Sequence, residues 1–471
     1  MNDYSDIMIG LEVHVRLLTQ TKLFCSCPNV EADEPNTNVC PICMGFPGTK
    51  PQLNEKAIEL AATAALALNC TINPEISFSR KVYFYPDLPK NFQITQYDLP
   101  VGTEGTLELN KTGRKIGISR VHIEEDPARL VHIGGDITNA AYVLVDYNRS
   151  GMPLIEIVTK PEIKSPEEAR DAVATLAMML SYLGVCDPSS ESSIRVDANI
   201  SIIGGKRVEI KNITGFANVE KALLFEIARQ RQLKAQNIEV EQETRHFDEL
   251  KKTTVSLRTK ETEEDYGYIF EPDLVTYHLS KEYLASCETK LSELPSKRIE
   301  RLVENFGIDE HYARIIVYEG KPFSDFFEEC ARKFGNKELL AKWSTGDLLK
   351  CLNYNKVDIT HSKVTADKYI SFLKLIDNNT ITERFGKELI KEFVATGEDP
   401  QEILNKHKSG AAQDINKIVD EVIESNEKAV EDYKKGNQKA LQFLVGQVLA
   451  KTDNSADPKT IIRLLSARVA Q

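Results

Sequence analysis

The run Ile9–Arg16, IGLEVHVR, alternates the apolar Ile9, Leu11, Val13 and Val15 with Gly10, Glu12, His14 and Arg16. An extended strand has a side-chain period of two, so Glu12 and His14 fall side by side on one face, where a carboxylate and an imidazole can serve a cation. Three further runs repeat the pattern. Val121–Asp126 sets His122, Glu124 and Asp126 on one face and Glu125 on the other, unless the strand bulges there. Arg195–Ser201 lines up Arg195, Asp197, Asn199 and Ser201, and Val208–Asn212 adds Glu209 and Lys211. A single wet strand face carries polar residues at alternate positions without any function. Four runs that bring carboxylates, histidines and an asparagine carry more weight, because oxygen donors with an imidazole suit Mg2+ or Mn2+. Such an ion commonly bridges nucleotide phosphates while Lys or Arg neutralises the remaining charge; Arg80, Lys81 and Lys211 are the candidates. The sequence has no G-x-x-x-x-G-K-[ST], so phosphate binding would rest on the metal and basic side chains.

A second ligand set is written in the cysteines. Cys25, Cys27, Cys40 and Cys43 read as C-x-C followed by C-x-x-C, while Cys70, Cys186, Cys287, Cys330 and Cys351 are scattered. An odd total without an export signal argues against disulfides. Four thiolates on two short turns suit a tetrahedral Zn2+, and Pro28, Pro41, Gly45 and Pro47 supply the turn chemistry. Four Cys ligands would close the coordination shell, making this zinc a scaffold. The alternative is a set of small buried thiols, or a site that has lost its metal.

These residues need a sheet to position them, and the chain supplies one. Up to about Pro272 short alternating runs punctuated by Gly and Pro read as strands, with a helix over Glu55–Leu68 capped by Asn54 and another from about Pro166 to Leu183. From about Pro295 onward the period changes to 3.6 and strands disappear. The charged stretch Arg332–Lys342 then separates a connecting bundle from a terminal unit of short helices. The expected class is α+β, with a mixed α/β domain on an antiparallel sheet over residues 1–294, an all-α linker over 295–345 and an all-α tail over 346–471. A chain of 471 residues has room for about three domains. No run approaches the roughly 18 apolar residues of a membrane helix and residues 1–20 lack a signal-peptide layout, so no membrane contact and a cytoplasmic location are expected. The net charge of −12 argues against nucleic-acid binding driven by overall charge, but leaves room for a local basic face.

Several runs are more specific than these patterns. IGLEVHVRL, NVCPICMGFPG, RKVYFYPDLPKNFQITQYDLP, VHIEEDPARLVH, LVDYNRSGMPLIEIV and VDANISI resemble the B subunit of the tRNA-dependent amidotransferases, and EDYKKGNQKALQFLVGQVLAKT resembles that family's helical tail. The resemblance implies a catalytic cradle in which ATP and Mg2+ phosphorylate the side-chain carboxylate of misacylated Glu-tRNA(Gln) or Asp-tRNA(Asn), after which ammonia displaces the phosphate. It implies that Glu12, His14, Glu125, Asp197 and Glu209 are metal or site carboxylates and histidine, with Arg80, Lys81, Tyr83, Asn199 and Lys211 on the nucleotide side. The family pattern favours Glu125 where the period of two favours Glu124, so both stand. An ammonia-producing segment is missing, because the Ser189–Ser193 cluster lacks the Gly-rich, Lys-containing context of an amidase. The resemblance therefore implies a separate glutaminase A subunit joined by a tunnel, and a small C subunit, in an obligate heterotrimer. In the tail it implies tRNA contacts by Lys434, Lys435, Lys439 and Lys451, with Gly436 and Gly446 allowing close backbone approach. Two departures stand out: EDYGYIFEPDL has Gly267 and Ile269–Phe270 where Arg and Phe-Pro are usual, and KNITGF has Thr214–Gly215 in place of Asn-Ser. Two other readings are a related E-type subunit acting only on Glu-tRNA(Gln), which would carry an inserted domain not visible between Asn212 and Pro295, and a non-catalytic zinc-containing tRNA-binding protein.

Overall fold

The computed structural model describes residues 4–134, 140–188, 190, 193–259, 267–289, 291, 293–434, 437–451 and 458–469. The chain forms two compact units, 1–298 and 299–471. The first is built on a nine-stranded sheet in the order Thr253–Thr259, Glu243–Asp248, Val208–Thr214, Ile194–Ile202, Ile7–Arg16, Pro153–Thr159, Lys115–Glu125, Gly102–Glu108 and Thr71–Ile72. Neighbours run antiparallel except for Val208–Thr214 with Glu243–Asp248. That parallel pair needs a long crossover, and the helix Phe216–Ala235 provides it.

The sheet is two-faced because its strands alternate. Ile9, Leu11, Val13 and Val15 are buried together with Val121, Ile123, Ile155, Ile157, Val196 and Ala198, and they pack under the helices Glu55–Ala67, Pro166–Tyr182 and Phe216–Ala235. Each buried Val, Leu or Ile contributes about 1.5–3 kcal/mol. The first helix starts where Asn54 accepts from the Lys56 amide, and its alanines let it sit close to the sheet; the second starts where Ser165 accepts from the Glu168 amide, with Pro166 in the first turn. With the helices on one face, the polar alternates are left on the other. A small sheet, Gly267–Phe270, Ser79–Val82 and Phe92–Thr95, brings Lys81 and Tyr268 to that open face.

The described elements of the second unit are all helices. Trp343, Tyr369, Phe372 and Phe393 form an aromatic core, and Val419, Val422, Leu444, Val448, Ile461 and Leu465 form a separate aliphatic cluster. Lys337–Trp343 passes through a wide turn at Ser344–Leu348 into Leu349–Asn355. Among the described residues no helix is long and apolar enough to cross a membrane.

Candidate functional site

Strand register decides which side chains meet. His122 lies opposite Glu156, Glu156 opposite His14, and His14 opposite Arg195, so these four form one row across four strands. In the next row Glu12 lies opposite Asp197. The result is two adjoining ligand sets in one cleft: His14, Glu124 and Glu156, and Glu12, Asp197 and Glu209, with the ligand atoms of each set within 4.8 Å of one another. His14 Nε2 is 3.4 Å from Glu124 and 3.6 Å from Glu156, and His122 Nε2 is 3.1 Å from Glu156. Lys211 Nζ reaches Glu209 at 2.7 Å and Asp197 at 3.2 Å, while the Asn199 amide donates to Glu12 at 2.9 Å. Lys81, Arg120 and Arg207 complete the cationic lining.

The electrostatics describe a site that wants a cation. Burial, then repulsion from Glu156, Asp197 and Glu209, pushes the Glu12 carboxyl up to about 7, although Lys211 pulls it down. Burial, then Glu156, raises Glu124 to about 8. Burial lowers His14, which keeps its imidazole neutral and able to donate a lone pair. Burial opposes ionisation of Glu156 and Asp197 as well, yet both are held below the usual carboxylate range, Glu156 by the neighbouring imidazoles with His122 foremost, and Asp197 by Lys211. Crowded, dry carboxylates beside a neutral imidazole are a hard divalent cation's donor set, and the residues present fit one.

Other expected site residues lie elsewhere. Glu125 faces away from Glu124: it is ion-paired with Lys90, accepts from the Ile94 amide at 2.8 Å, and lines a second pocket beside Cys25 and Cys43. Arg80 also lines that pocket, where it forms a two-pronged pair with the buried Glu271 at 2.8 Å for each contact. Arg80→Met would therefore strand a buried carboxylate, and is expected to cost about 3 kcal/mol of stability, which denaturant melts check. Tyr83 is half-buried just beyond Ser79–Val82 and is not among the residues lining the carboxylate cleft. Lys434 and Lys439 are exposed, Lys451 pairs with Glu421 at 3.0 Å, and Lys435 and Gly436 lie outside the described residues. Gly215 begins the Phe216–Ala235 helix at φ 81° with no side-chain cap, a left-handed conformation that glycine adopts without strain. Gly267, Ile269 and Phe270 fall on the small-sheet strand that carries Tyr268.

Sequence reasoning missed Arg120, Arg207 and, above all, Glu156. Its run, PLIEIVT, is almost wholly apolar, and its strand is buried on both faces. A lone acid in such a strand was the available signal, because a buried carboxylate needs a partner.

The four cysteines Cys25, Cys27, Cys40 and Cys43 converge in irregular backbone after the first strand, with their sulfurs within 4.8 Å of one another. The Cys40 amide donates to Cys43 Sγ at 3.1 Å, the kind of bond that steadies a thiolate ligand. A hydrogen bond from Cys25, then the Cys40 amide and Lys22, lowers Cys43 to about 5 despite its burial. Lys22 is completely buried, donates to the Asn38 carbonyl at 2.8 Å, and sits 3.9 Å from Cys43 Sγ. The arrangement is a possible four-thiolate metal site, and its donors fit Zn2+.

Residues 7–285 match the family model described as the GatB/GatE catalytic domain, and residues 325–469 match the model described as the GatB domain. The family match and the curated names of its relatives make the chain an amidotransferase component, part of a ligase-type enzyme. The chain belongs to the GatB/GatE family. A Methanoregula boonei protein, named as the B subunit of an aspartyl/glutamyl-tRNA(Asn/Gln) amidotransferase, is 46% identical over 479 residues, covering 98% of each chain. Proteins of the same name from Carboxydothermus hydrogenoformans and Sulfolobus acidocaldarius are 41% identical over 485 residues and 43% identical over 471, covering 100% and 98% of each chain.

Proposed function

We propose that this chain binds misacylated Glu-tRNA(Gln), Asp-tRNA(Asn) or both, and transfers the γ-phosphoryl of ATP to the side-chain carboxylate, releasing ADP. Ammonia from a partner glutaminase then attacks the acyl phosphate and expels phosphate, leaving the amide. The observation that carries the reading is the pair of adjoining carboxylate sets in one cation-lined cleft. Phosphoryl transfer asks for positioning and charge neutralisation more than for a protein nucleophile. Glu12, His14, Glu124, Glu156, Asp197 and Glu209 would hold Mg2+ or Mn2+, which when bound neutralises charge on the phosphates. Lys81, Arg120, Arg207 and Lys211 meet the remaining phosphate charge, and Asn199 orients Glu12. Glu125 and Arg80 are committed to other partners and take no part in this set.

The same reading assigns Zn2+ to the four cysteines as a brace and the exposed Lys434 and Lys439 to the tRNA backbone. The exposed Phe46, Phe84, Ile269, Phe270 and Val275 support docking of the A and C subunits. The complex would work in the cytoplasm, where charged tRNA is available. The test is reconstitution with the partner subunits, glutamine and ATP: ADP and amidated aminoacyl-tRNA should form together, and only when misacylated tRNA is present. ATP consumption without that dependence would overturn the assignment.

A further inference from the structure

The cations lining the carboxylate cleft differ in what they already hold. Lys211 is spent on Glu209 at 2.7 Å and Asp197 at 3.2 Å, and Arg207 is exposed just before its strand begins. Arg120 is half-buried, its Nε is fully buried, and among the described residues its guanidinium has no hydrogen bond and no ion pair, although it shares the cleft with several acids. A buried donor left unpaired is costly, so a residue of this kind calls for a partner from outside the chain.

The sheet explains why the cleft's own acids do not supply that partner. Arg120 lies on the open face of Lys115–Glu125 in line with His122 and Glu124, and its cross-strand neighbour is Val158. Val158 lies opposite Glu12, and Glu12 opposite Asp197. The row therefore reads Asp197, Glu12, Val158, Arg120, with an apolar residue between the acids and the guanidinium. Two strand spacings, about 10 Å of backbone, separate Glu12 from Arg120. The next open-face residue, His122, turns Nε2 to Glu156 at 3.1 Å and leaves its buried Nδ1 without a partner among the described residues. The acids are thus gathered at one end of the cleft, and unspent hydrogen-bonding capacity at the other.

We propose that Arg120 clamps the acceptor carboxylate, the side-chain acid of the misacylated residue, and so makes the cleft prefer the acid over the amide that replaces it. The inference rests on the proposed function and deepens it. Phosphoryl transfer needs the attacking oxygen in line with the γ-phosphorus, yet an anionic nucleophile and a triphosphate repel each other. The acids and their cation can hold the triphosphate, and a separate guanidinium then brings in the carboxylate from the Val158 side. The planar fork of arginine matches two carboxylate oxygens at once. One oxygen bonds to the γ-phosphorus as the bond to the ADP oxygen breaks, and the electron pair leaves with ADP. Arg120 meets phosphate charge only after that, on the acyl phosphate. Once ammonia has expelled phosphate, the neutral amide has no charge for the guanidinium, which favours release of the product.

The test uses the full complex, wild type and carrying Arg120→Met or Arg120→Lys, with equilibrium binding of Glu-tRNA(Gln) against Gln-tRNA(Gln) and of Asp-tRNA(Asn) against Asn-tRNA(Asn). For whichever pair it amidates, the wild type should bind the acid about tenfold more tightly than the amide, the gain from a charged over a neutral hydrogen-bond partner. Arg120→Met should erase that ratio while affinity for the amidated tRNA stays within about twofold, and it should cut tRNA-dependent turnover about 30-fold through loss of alignment. Arg120→Lys should keep part of the ratio, because the charge remains and the fork is lost. The KM for ATP and the melting temperature should not move, since Arg120 holds neither the nucleotide nor a neighbouring side chain. A ratio near one in the wild type, or an unchanged ratio in Arg120→Met, would overturn the inference. A rise in the KM for ATP would overturn it too, by giving Arg120 to the nucleotide. A wild-type complex without tRNA-dependent turnover would instead defeat the underlying functional reading.

Discussion

Glu156→Gln is expected to cut tRNA-dependent ATP turnover about 100-fold, the scale of losing a close partner at a metal centre. Glu156 sits between two imidazoles, 3.1 Å from His122 and 3.6 Å from His14, and the amide keeps its shape while removing the charge. Both imidazoles would then lose the anion that orients them, and the cleft would lose one of its few ionised acids. The adjacent pair Glu124 and Glu125 makes the comparison sharper. Glu124→Gln should lose activity on the same scale, because its carboxylate lies 3.4 Å from His14. Glu125→Gln should leave the affinity for Mg2+ unchanged, since its carboxylate is held by Lys90 and the Ile94 amide. Magnesium titrations of ATP turnover in the three variants would measure this, and equal Mg2+ affinity in Glu124→Gln and wild type would remove Glu124 and its neighbours from the ligand set.

Removal of zinc is the second large effect expected. Between Leu17 and Asn54 the described backbone has no helix and no paired strand beyond the bridge Thr21–Pro28. A stretch of that length stays ordered only if something else ties it, and the four sulfurs are the point where its turns meet. Four thiolates on one Zn2+ leave excess negative charge, which the buried Lys22 and the Cys40 amide partly offset. The purified chain should carry about one zinc, and Cys25→Ser or Cys43→Ser should abolish binding and lower Tm by on the order of 10 °C. Elemental analysis with calorimetry measures both. Purified wild type that carries no zinc, or cysteine variants that melt like the zinc-loaded wild type, would eliminate the brace.

How far the site could be read from sequence followed from how clean each strand's alternation is. Ile9–Arg16 alternates without exception, so spacing alone puts Glu12 and His14 on one face, and Arg195–Ser201 does the same for Asp197 and Asn199. Pro153–Thr159 gave no such signal, because the open-face neighbours of Glu156 are Leu154 and Val158. Glu124 and Glu125 show the reverse case: periodicity placed Glu124 on the His122 face, and the observed register keeps it there. Arg80 was beyond spacing altogether, since its partner Glu271 is distant in sequence and the two meet only through tertiary folding. The helix Glu55–Ala67 is legible because Asn54 is a strong cap, whereas Phe216–Ala235 begins at Gly215 with no side-chain cap and leaves no such signal.

The strand Lys115–Glu125 also sets a limit for protein engineers. Its pairing with Pro153–Thr159 skips Ser119, so that Arg120 faces Val158 while Ile118 faces Thr159. On the outer side of that irregularity the ladder can absorb a one-residue insertion by moving the bulge. Between Ser119 and Glu124 it cannot, because a single added or deleted residue would exchange the environments of two neighbouring glutamates, sending one towards the cysteine turns and the other into the row of imidazoles. Library designs or loop grafts that keep composition but alter length there should fail as a class, while those that lengthen the hairpin before Lys115 should be tolerated.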